Sequence, residues 1–576
     1  MTTRGTERTS ATSVADRPDT DGSRFAVDPS SGFAGETDPR HRRIVFGVSA
    51  VVLLATVALW LVRTVQSTGS LVYALDDAYI HLALADRLAF TGTWGVQAGT
   101  YQSASSAPAW NVLEAALLVV RIPAPIVPLL LGVVASLWAL WTMSRIPIIE
   151  RFGSVRFGSV RFGSVWAGVA VAVAVPFSLA LVGLTLMGME HTLQVAVVLA
   201  ALAALADRVG DDAARRQTAR WLLPILFLVG TSIRYEMLLV VAGCAVAYLV
   251  VQRPTDGGDL GPSITSRAVE IGGWVVAALV PVAVVAAVNL AFGQYALPDS
   301  VIAKGRGATS DFTLLRPLST LMVDRRLGAL VILAAVVLVV ALRRLRTPAL
   351  APLVAAFVVA VGFVAFGPVT LSWLGRYQAM AAAALIYAIC LAAVRLPLDR
   401  VPALSLVPIA VLLPAVLQVG TYTSAIRGSE EIHLQHKQSV EFLNRWYPGG
   451  TVALNDAGVL GYEYAGETID LVGLTSHDVL VARVEGRFGR DFVEELFTDR
   501  DVDLAVGYTA WIGSVLPENW TEVGRWCLDQ PTAVVGDRCQ SFFAAAGEPA
   551  EQLADHLEAF RPELDPGITL ELPTPS

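Results

Sequence analysis

The 576-residue chain is 54% hydrophobic and 16% charged, where an ordinary soluble domain is roughly 25% charged, so it reads as a polytopic membrane protein with length to spare for a water-soluble part. Its net charge of -8 argues against a nucleic-acid partner. Its four cysteines form no Cys-x-x-Cys pair, so nothing in their spacing suggests a thiolate metal centre.

Residues 1–43 are rich in Thr, Ser, Asp, Gly and Arg, the composition of a disordered tail. The first apolar run, 44–65, is too long for the core of a cleavable signal peptide and reads as a signal anchor. His41-Arg42-Arg43 ahead of it place the N-terminus in the cytoplasm. A loop over 66–124 follows. Inside it, 78–90 carries Ile80, Leu84 and Leu88 at helical spacing, with Leu82 off that row, and predicts a helix lying along the membrane surface. Residues 108–120 are apolar but too few to span, and are expected to be re-entrant or interfacial.

Further spans are predicted at 125–143, 164–187, 191–206, 221–233, 237–251, 269–291, 328–343, 348–371, 377–394 and 401–420, eleven with the first. The pair around 221–251 is short enough to be broken helices at a buried polar site. Loop charge tests the count. If 108–120 does not span, the groups containing Arg145, Arg151, Arg156 and Arg161, then Arg208, Arg215, Arg216 and Arg220, then Arg253 and Arg267, then Arg343, Arg344 and Arg346, then Arg395 and Arg400 all face the cytoplasm. Arg325 and Arg326 run against that trend. The pentapeptide Arg-Phe-Gly-Ser-Val repeated over 151–165 has too short a period for a structural repeat.

An odd number of spans puts 421–576 outside the cell, in an expected small α/β domain. Residues 429–446 read as a helix, and 451–454, 469–472, 502–506, 532–535 and 540–543 as strands. Cys527 and Cys539 would close a short loop, and an oxidising compartment favours a disulfide between them. Cys244 and Cys390 lie in apolar runs as packing residues.

This topology gathers polar residues on one side of the membrane. They are Asp76, Asp77, Tyr79 and His81 after the first span, Glu190 and His191, Arg234-Tyr235-Glu236, Lys304 and Arg306 near Leu297-Pro298-Asp299, Arg376 and Tyr377, and Asn455-Asp456. Each has a structural reading of its own, as a cap, an ion pair or a snorkelling anchor. A shared polar cavity explains them together. Carboxylates serve as a general base or hold a divalent cation, and Lys and Arg suit a phosphate. That mixture fits transfer of a group, a sugar above all, from a lipid-linked phosphate to a hydroxyl.

The ordered motifs Leu75-Asp76-Asp77-Ala78-Tyr79-Ile80, Gly92-x-Trp94-Gly95, the Ser/Ala run through Pro108 to Trp110, Gly188-Met189-Glu190, Arg234-Tyr235-Glu236, Leu297-Pro298 with Lys304, Gly375-Arg376-Tyr377 and Asn455-Asp456-Ala457-Gly458 resemble those of the C-type membrane glycosyltransferases, in particular the bacterial polyprenyl-phosphate-sugar-dependent branch with arabinofuranosyltransferase- and mannosyltransferase-like members. The resemblance covers roughly 44–480. It implies a helical membrane bundle over 44–420 followed by an extracytoplasmic α/β domain, in the plasma membrane. It implies inverting sugar transfer from a polyprenyl phosphate to a glycan, lipid or protein acceptor. By position Asp76 is the base with Asp77 second, and the choice between them stays open. Glu190 assists with acceptor or metal, so Asp77 and Glu190 are the candidate ligands should a divalent cation (Mg, Mn or Ca) take part. Arg234, Lys304 and Arg376 lie near the donor phosphate, and Tyr79, His81, His191, Glu236 and Tyr377 complete the expected substrate site. The resemblance departs at Tyr235, where members often carry proline, and at His191.

Because a phosphate leaves readily, a single carboxylate suffices where glycosidases need two. Trp446, Tyr462, Tyr464 and Trp511 are candidate sugar-stacking rings, with core packing the competing role for each. The alternative of a non-catalytic transporter or lipid-carrier flippase would bring internal repeats among the spans, and none is visible.

Overall fold

A computed structural model describes residues 38–97, 99–148, 164–251, 263–306, 324–344, 349–366, 374–396 and 406–572. The expected disorder of the tail up to residue 37 and nearly all of the pentapeptide repeat lie outside them.

The apolar runs become helices α1 (Pro39–Thr68), α2 (Asp77–Thr91), α3 (Pro108–Val119), α4 (Val127–Met143), α5 (Ser164–Ser178), α6 (Leu181–Leu186), α7 (His191–Val209), α8 (Ala213–Ile233), α9 (Met237–Val250), α10 (Ile264–Ala291), α11 (Asp299–Arg306), α12 (Arg325–Arg344), α13 (Leu350–Phe366), α14 (Ala379–Ala393) and α15 (Leu406–Ile432). Among the described residues, seven helices are long and apolar enough to cross a membrane, and α3, α9, α13 and α14 are shorter apolar helices. Each of the eleven predicted spans falls on one of these helices, with 164–187 divided between α5 and α6 where Ala180 takes a left-handed conformation (φ 58°). The centre of the bundle is Ala-rich α14, buried along its whole length. Small side chains there let helices approach closely, the packing that membrane interiors rely on.

Two expectations about the first loop need correction or refinement. Helix α2 forms where predicted, but it does not lie open on a membrane surface: every residue from 78 to 85 is buried. The C-terminal domain covers the face that a surface helix would show to water, with Tyr462 packed against Tyr79 and against the Ile80–Leu84 cluster. Helix α3 has 12 residues, too few to span, and buries Trp110, Asn111 and Glu114.

Helix α15 does not stop at the end of the apolar run. It continues through a π-helical turn, His433–Lys437, into α16 (Gln438–Trp446), so the predicted helix over 429–446 is the extension of the last span. Beyond it lie β1 (Thr451–Leu454), α17 (Val459–Glu463), β2 (Glu467–Asp470), α18 (His477–Val484), α19 (Arg490–Asp499), β3 (Val502–Gly507), α20 (Thr509–Ile512), β4 (Trp520–Leu528), β5 (Cys539–Ala545), α21 (Glu548–Phe560) and β6 (Ile568–Glu571). The strands form one sheet in the order β2-β1-β3-β5-β4-β6. Strands β1, β2 and β3 are parallel, joined by helical crossovers, whereas β5, β4 and β6 add antiparallel pairs. Cys527 and Cys539 are register partners on β4 and β5 and are bonded as a disulfide.

The predicted strand over 532–535 is absent. The backbone N–H groups of Ala533, Val534 and Val535 donate instead to the Glu431 carboxylate at 2.6, 2.8 and 3.3 Å. A side chain from α15 thus satisfies donors that a strand would have spent on a ladder, and docks the domain onto the bundle. The sequence reading missed β4, whose register shifts between Glu522 and Gly524 and so breaks the alternation of apolar residues, and short edge strand β6.

Candidate active site

The site lies where the bundle meets the C-terminal domain. Asp76 precedes α2 and Asp77 is its first residue, so the two carboxyls leave the chain in different directions. Asp77 turns toward the bundle. Its Oδ1 accepts from Lys304 Nζ of α11 at 2.7 Å, and its Oδ2 accepts from Arg376 Nη1 and Nη2, each at 3.2 Å. Burial would raise the Asp77 carboxyl, yet Arg376 and Lys304 hold it far below the usual carboxylate range. Arg376 is itself 2% exposed and also donates to the Tyr377 hydroxyl at 3.0 Å.

Asp76 turns toward the C-terminal domain. Its Oδ2 accepts from Gly458 N–H at 2.6 Å, and its Oδ1 accepts from Val459 N–H at 2.9 Å and from His436 Nδ1 at 2.9 Å. The N–H donors open α17. Position 458 must be glycine, because a Cβ there would lie 2.0 Å from the Asp76 carbonyl oxygen. His436 sits in the π turn, which widens the helix enough to bring this imidazole inward.

A second polar cluster adjoins the first. Gly188 adopts φ +69° against the Tyr73 ring, where a Cβ would be 2.5 Å from Cδ1, and this turn presents Glu190 ahead of α7. Fully buried Glu190 accepts from Arg234 Nη1 at 2.7 Å and faces His81 Nε2 at 3.4 Å and His191 Nε2 at 3.8 Å. Burial would raise its carboxyl, and His191, His81 and Arg234 outweigh that and hold it low. Arg234 also forks onto Glu236 at 2.5 and 3.0 Å. Tyr235, in the place where a proline was expected, leaves Arg234–Glu236 as a tight connection between α8 and α9. Tyr377 joins the clusters: Arg376 lies 4.9 Å and Arg234 5.6 Å from its ring centre, and His191 meets it edge-on at 5.9 Å. His81 is buried and bonded to Asn111 of α3 at 3.0 Å, and desolvation lowers its pKa.

One candidate faces elsewhere. The Tyr79 hydroxyl accepts from Tyr73 N–H at 3.1 Å and its ring, 3% exposed, packs in the core. Asp77 and Glu190 both face basic partners in this structure, Asp77 toward Lys304 and Arg376 and Glu190 toward Arg234. Among the described residues no group of three or more His, Cys, Asp or Glu side chains is placed to hold a metal ion. Of the four candidate stacking rings, Trp446 stacks on His556 at 4.2 Å, Tyr462 packs on Tyr79, Tyr464 is 5% exposed, and Trp511 is 43% exposed and lines the cavity described next.

That cavity, about 300 Å³, opens between α2, α11, the start of α14 and the loop after β1, with Asp76, Asp77, Lys304, Arg376, His436 and Asp456 on its wall. Sequence reasoning missed His436. The signal was a histidine just beyond the last span, in a stretch read only as helix.

A family model for a domain of unknown function (DUF8728) matches residues 424–543. A search of curated proteins finds no match. Among solved structures the chain is similar to ArnT from Cupriavidus metallidurans bound to undecaprenyl phosphate, at 13% identity and TM-score 0.47, covering 87% of this chain and 99% of that one. It is similar to the Archaeoglobus fulgidus oligosaccharyltransferase in the apo form, at 12% identity and TM-score 0.44 over 82% and 73% of the two chains. It is also similar to the arabinofuranosyltransferase AftD from Mycobacteria, at 16% identity and TM-score 0.40, and there covers 86% of this chain but 42% of that one.

Proposed function

We propose that the chain is an inverting membrane glycosyltransferase that moves a sugar from a polyprenyl-phosphate donor to a hydroxyl of a cell-envelope glycan, lipid or protein on the outer face of the plasma membrane. The observation that carries this reading is Asp77 clamped between Lys304 and Arg376 on the wall of a cavity beside the membrane bundle.

The clamp has a charge balance suited to that donor. Two cations and one carboxylate leave a net charge of +1 (2 − 1). A sugar phosphodiester carries one negative charge and gains a second as its bond to the anomeric carbon breaks. Lys304 and Arg376 therefore bind the departing phosphate more strongly than the intact donor, which is the condition for lowering the barrier. Arg376 is buried and fixed by Asp77 and Tyr377, so little reorganisation is needed when that charge develops. Arg234, held by Glu190 and Glu236, supports the same wall through Tyr377.

Sugar transfer requires the acceptor oxygen to attack the anomeric carbon, the phosphate to leave with the bonding electrons, and a nearby carboxylate to take the proton. The test is to incubate membranes containing the chain with a panel of radiolabelled polyprenyl-phosphate sugars. Release of polyprenyl phosphate with label in a new product is expected, and Arg376→Ala lowers its rate about 100- to 1,000-fold. The reading falls if every donor remains intact with wild-type protein that binds it.

A further inference from the structure

Among the described residues three carboxylates line the cavity, and the structure occupies them differently. Both oxygens of Asp77 receive hydrogen bonds from full positive charges. Asp76 accepts three hydrogen bonds, and its side chain is 13% exposed. Asp456, on the loop between β1 and α17, is 26% exposed and, among the described residues, makes no ion pair with a Lys or Arg; its Oδ2 stands 3.7 Å from His436 Nε2. His436 is 1% exposed on the wall of the same cavity and turns its Nε2 toward Asp456.

We propose that Asp456 is the proton acceptor of the transfer reaction, and that Asp76, acting through His436 and the Gly458 and Val459 N–H groups, is the positioning residue that holds Asp456 at the cavity. This rests on the glycosyltransferase reading of the same site. In the step, the acceptor O–H bond breaks and its proton passes to an Asp456 carboxylate oxygen. The freed oxygen pair forms the bond to the anomeric carbon, and the bond from that carbon to the phosphate oxygen breaks with its electrons on the polyprenyl phosphate. The charge on the phosphate falls to Lys304 and Arg376, which line the same cavity.

The surroundings suit the task. Burial pushes the Asp456 carboxyl up to about 7, with His436 pulling it down, Asp76 raising it, Tyr508 lowering it and Asp77 raising it. Lys304 and Arg376 also face the cavity, already paired to Asp77. A base poised near neutrality combines a populated carboxylate with real basicity. Because the ionised form is the active one, turnover is lost as pH falls through about 7.

The experiment compares wild type, Asp456→Asn and Asp456→Glu in three readouts: transfer rate against pH, binding of the unmodified polyprenyl phosphate, and infrared titration of protonated carboxyls. Asp456→Asn is expected to lose about 100-fold or more in rate, to keep polyprenyl-phosphate binding, and to lose one carboxyl that titrates at about 7. Asp456→Glu is expected to recover part of the rate with a displaced acid limb, as a merely structural aspartate would not. Wild-type rate and an unchanged acid limb in Asp456→Asn overturn the proposal. If wild-type protein transfers no sugar, the infrared titration still decides. Persistence of the carboxyl signal in Asp456→Asn overturns the assignment of Asp456. Its disappearance identifies Asp456 as the titrating carboxyl of this cavity, and the failure then belongs to the polyprenyl-phosphate reading.

Discussion

Asp76 and Asp77 are consecutive and line one cavity, yet they bond to different units of the molecule. Successive residues at the start of a helix diverge by about 100°, so one carboxyl enters the C-terminal domain and its neighbour enters the bundle. Asp76 meets neutral backbone donors and one imidazole. Asp77 meets two full charges. The contrast teaches that a pair of acidic residues need not share one duty. The Asp76 wall fixes distance and orientation between two structural units, whereas the Asp77 wall sets charge. The site therefore forms only when the C-terminal domain is docked, and each wall can be broken separately.

The largest effect is expected on the charged wall. Arg376→Ala leaves Asp77 facing only half-exposed Lys304, and removing one partner of a buried pair costs about 3–5 kcal/mol. Sugar transfer should fall about 100- to 1,000-fold, the range for losing one donor to a developing oxyanion. Single-turnover donor cleavage measures it, and Arg376→Lys should restore only a fraction because a point charge cannot make both hydrogen bonds to Oδ2. Breaking the other wall comes next. Asp76→Asn removes the charge received by Gly458, Val459 and His436, at a cost of about 2–3 kcal/mol. The expected sign is a lower melting temperature together with proteolytic opening of the loops around 455–459. A normal melt with lost transfer would instead make Asp76 the chemical base.

A smaller effect is expected one layer further from the cavity. Glu431→Ala strips the acceptor from the Ala533, Val534 and Val535 N–H groups. Unsatisfied buried donors cost about 1–3 kcal/mol, and water reaching the loop reduces that to the lower end. Thermal unfolding followed by circular dichroism checks it.

Much of this was readable in the sequence, for identifiable reasons. Apolar runs of about 20 residues specify helices, so among the described residues each predicted span is helical. The polar residues gathered by loop charge also meet in space: Asp77 with Lys304 and Arg376, and Glu190 with His81, His191 and Arg234. What escaped depends on long-range partners. The 532–535 segment has strand composition, but its N–H groups are claimed by Glu431 about a hundred positions away. Helix α2 reads as a surface helix because the chain that buries it arrives nearly four hundred residues later. His436 and Asp456 gain their meaning from a π turn and a glycine approach that no local pattern announces.

The mildest prediction sharpens the contrast within the charged wall itself. Lys304 and Arg376 hold the same carboxylate, but the Lys304 side chain is 43% exposed and Arg376 is 2% exposed. Water and salt screen the first and barely reach the second. Lys304→Ala is therefore expected to lower transfer about fivefold or less at low ionic strength, the scale of an exposed ion pair. The deficit should shrink as salt is added, because wild type loses the benefit of Lys304 while the variant has none to lose. The Arg376→Ala deficit should hold steady over the same titration. Equal salt dependence for both variants would mean that the donor phosphate meets the two cations in one solvated site, and the buried half of the clamp would lose its separate role.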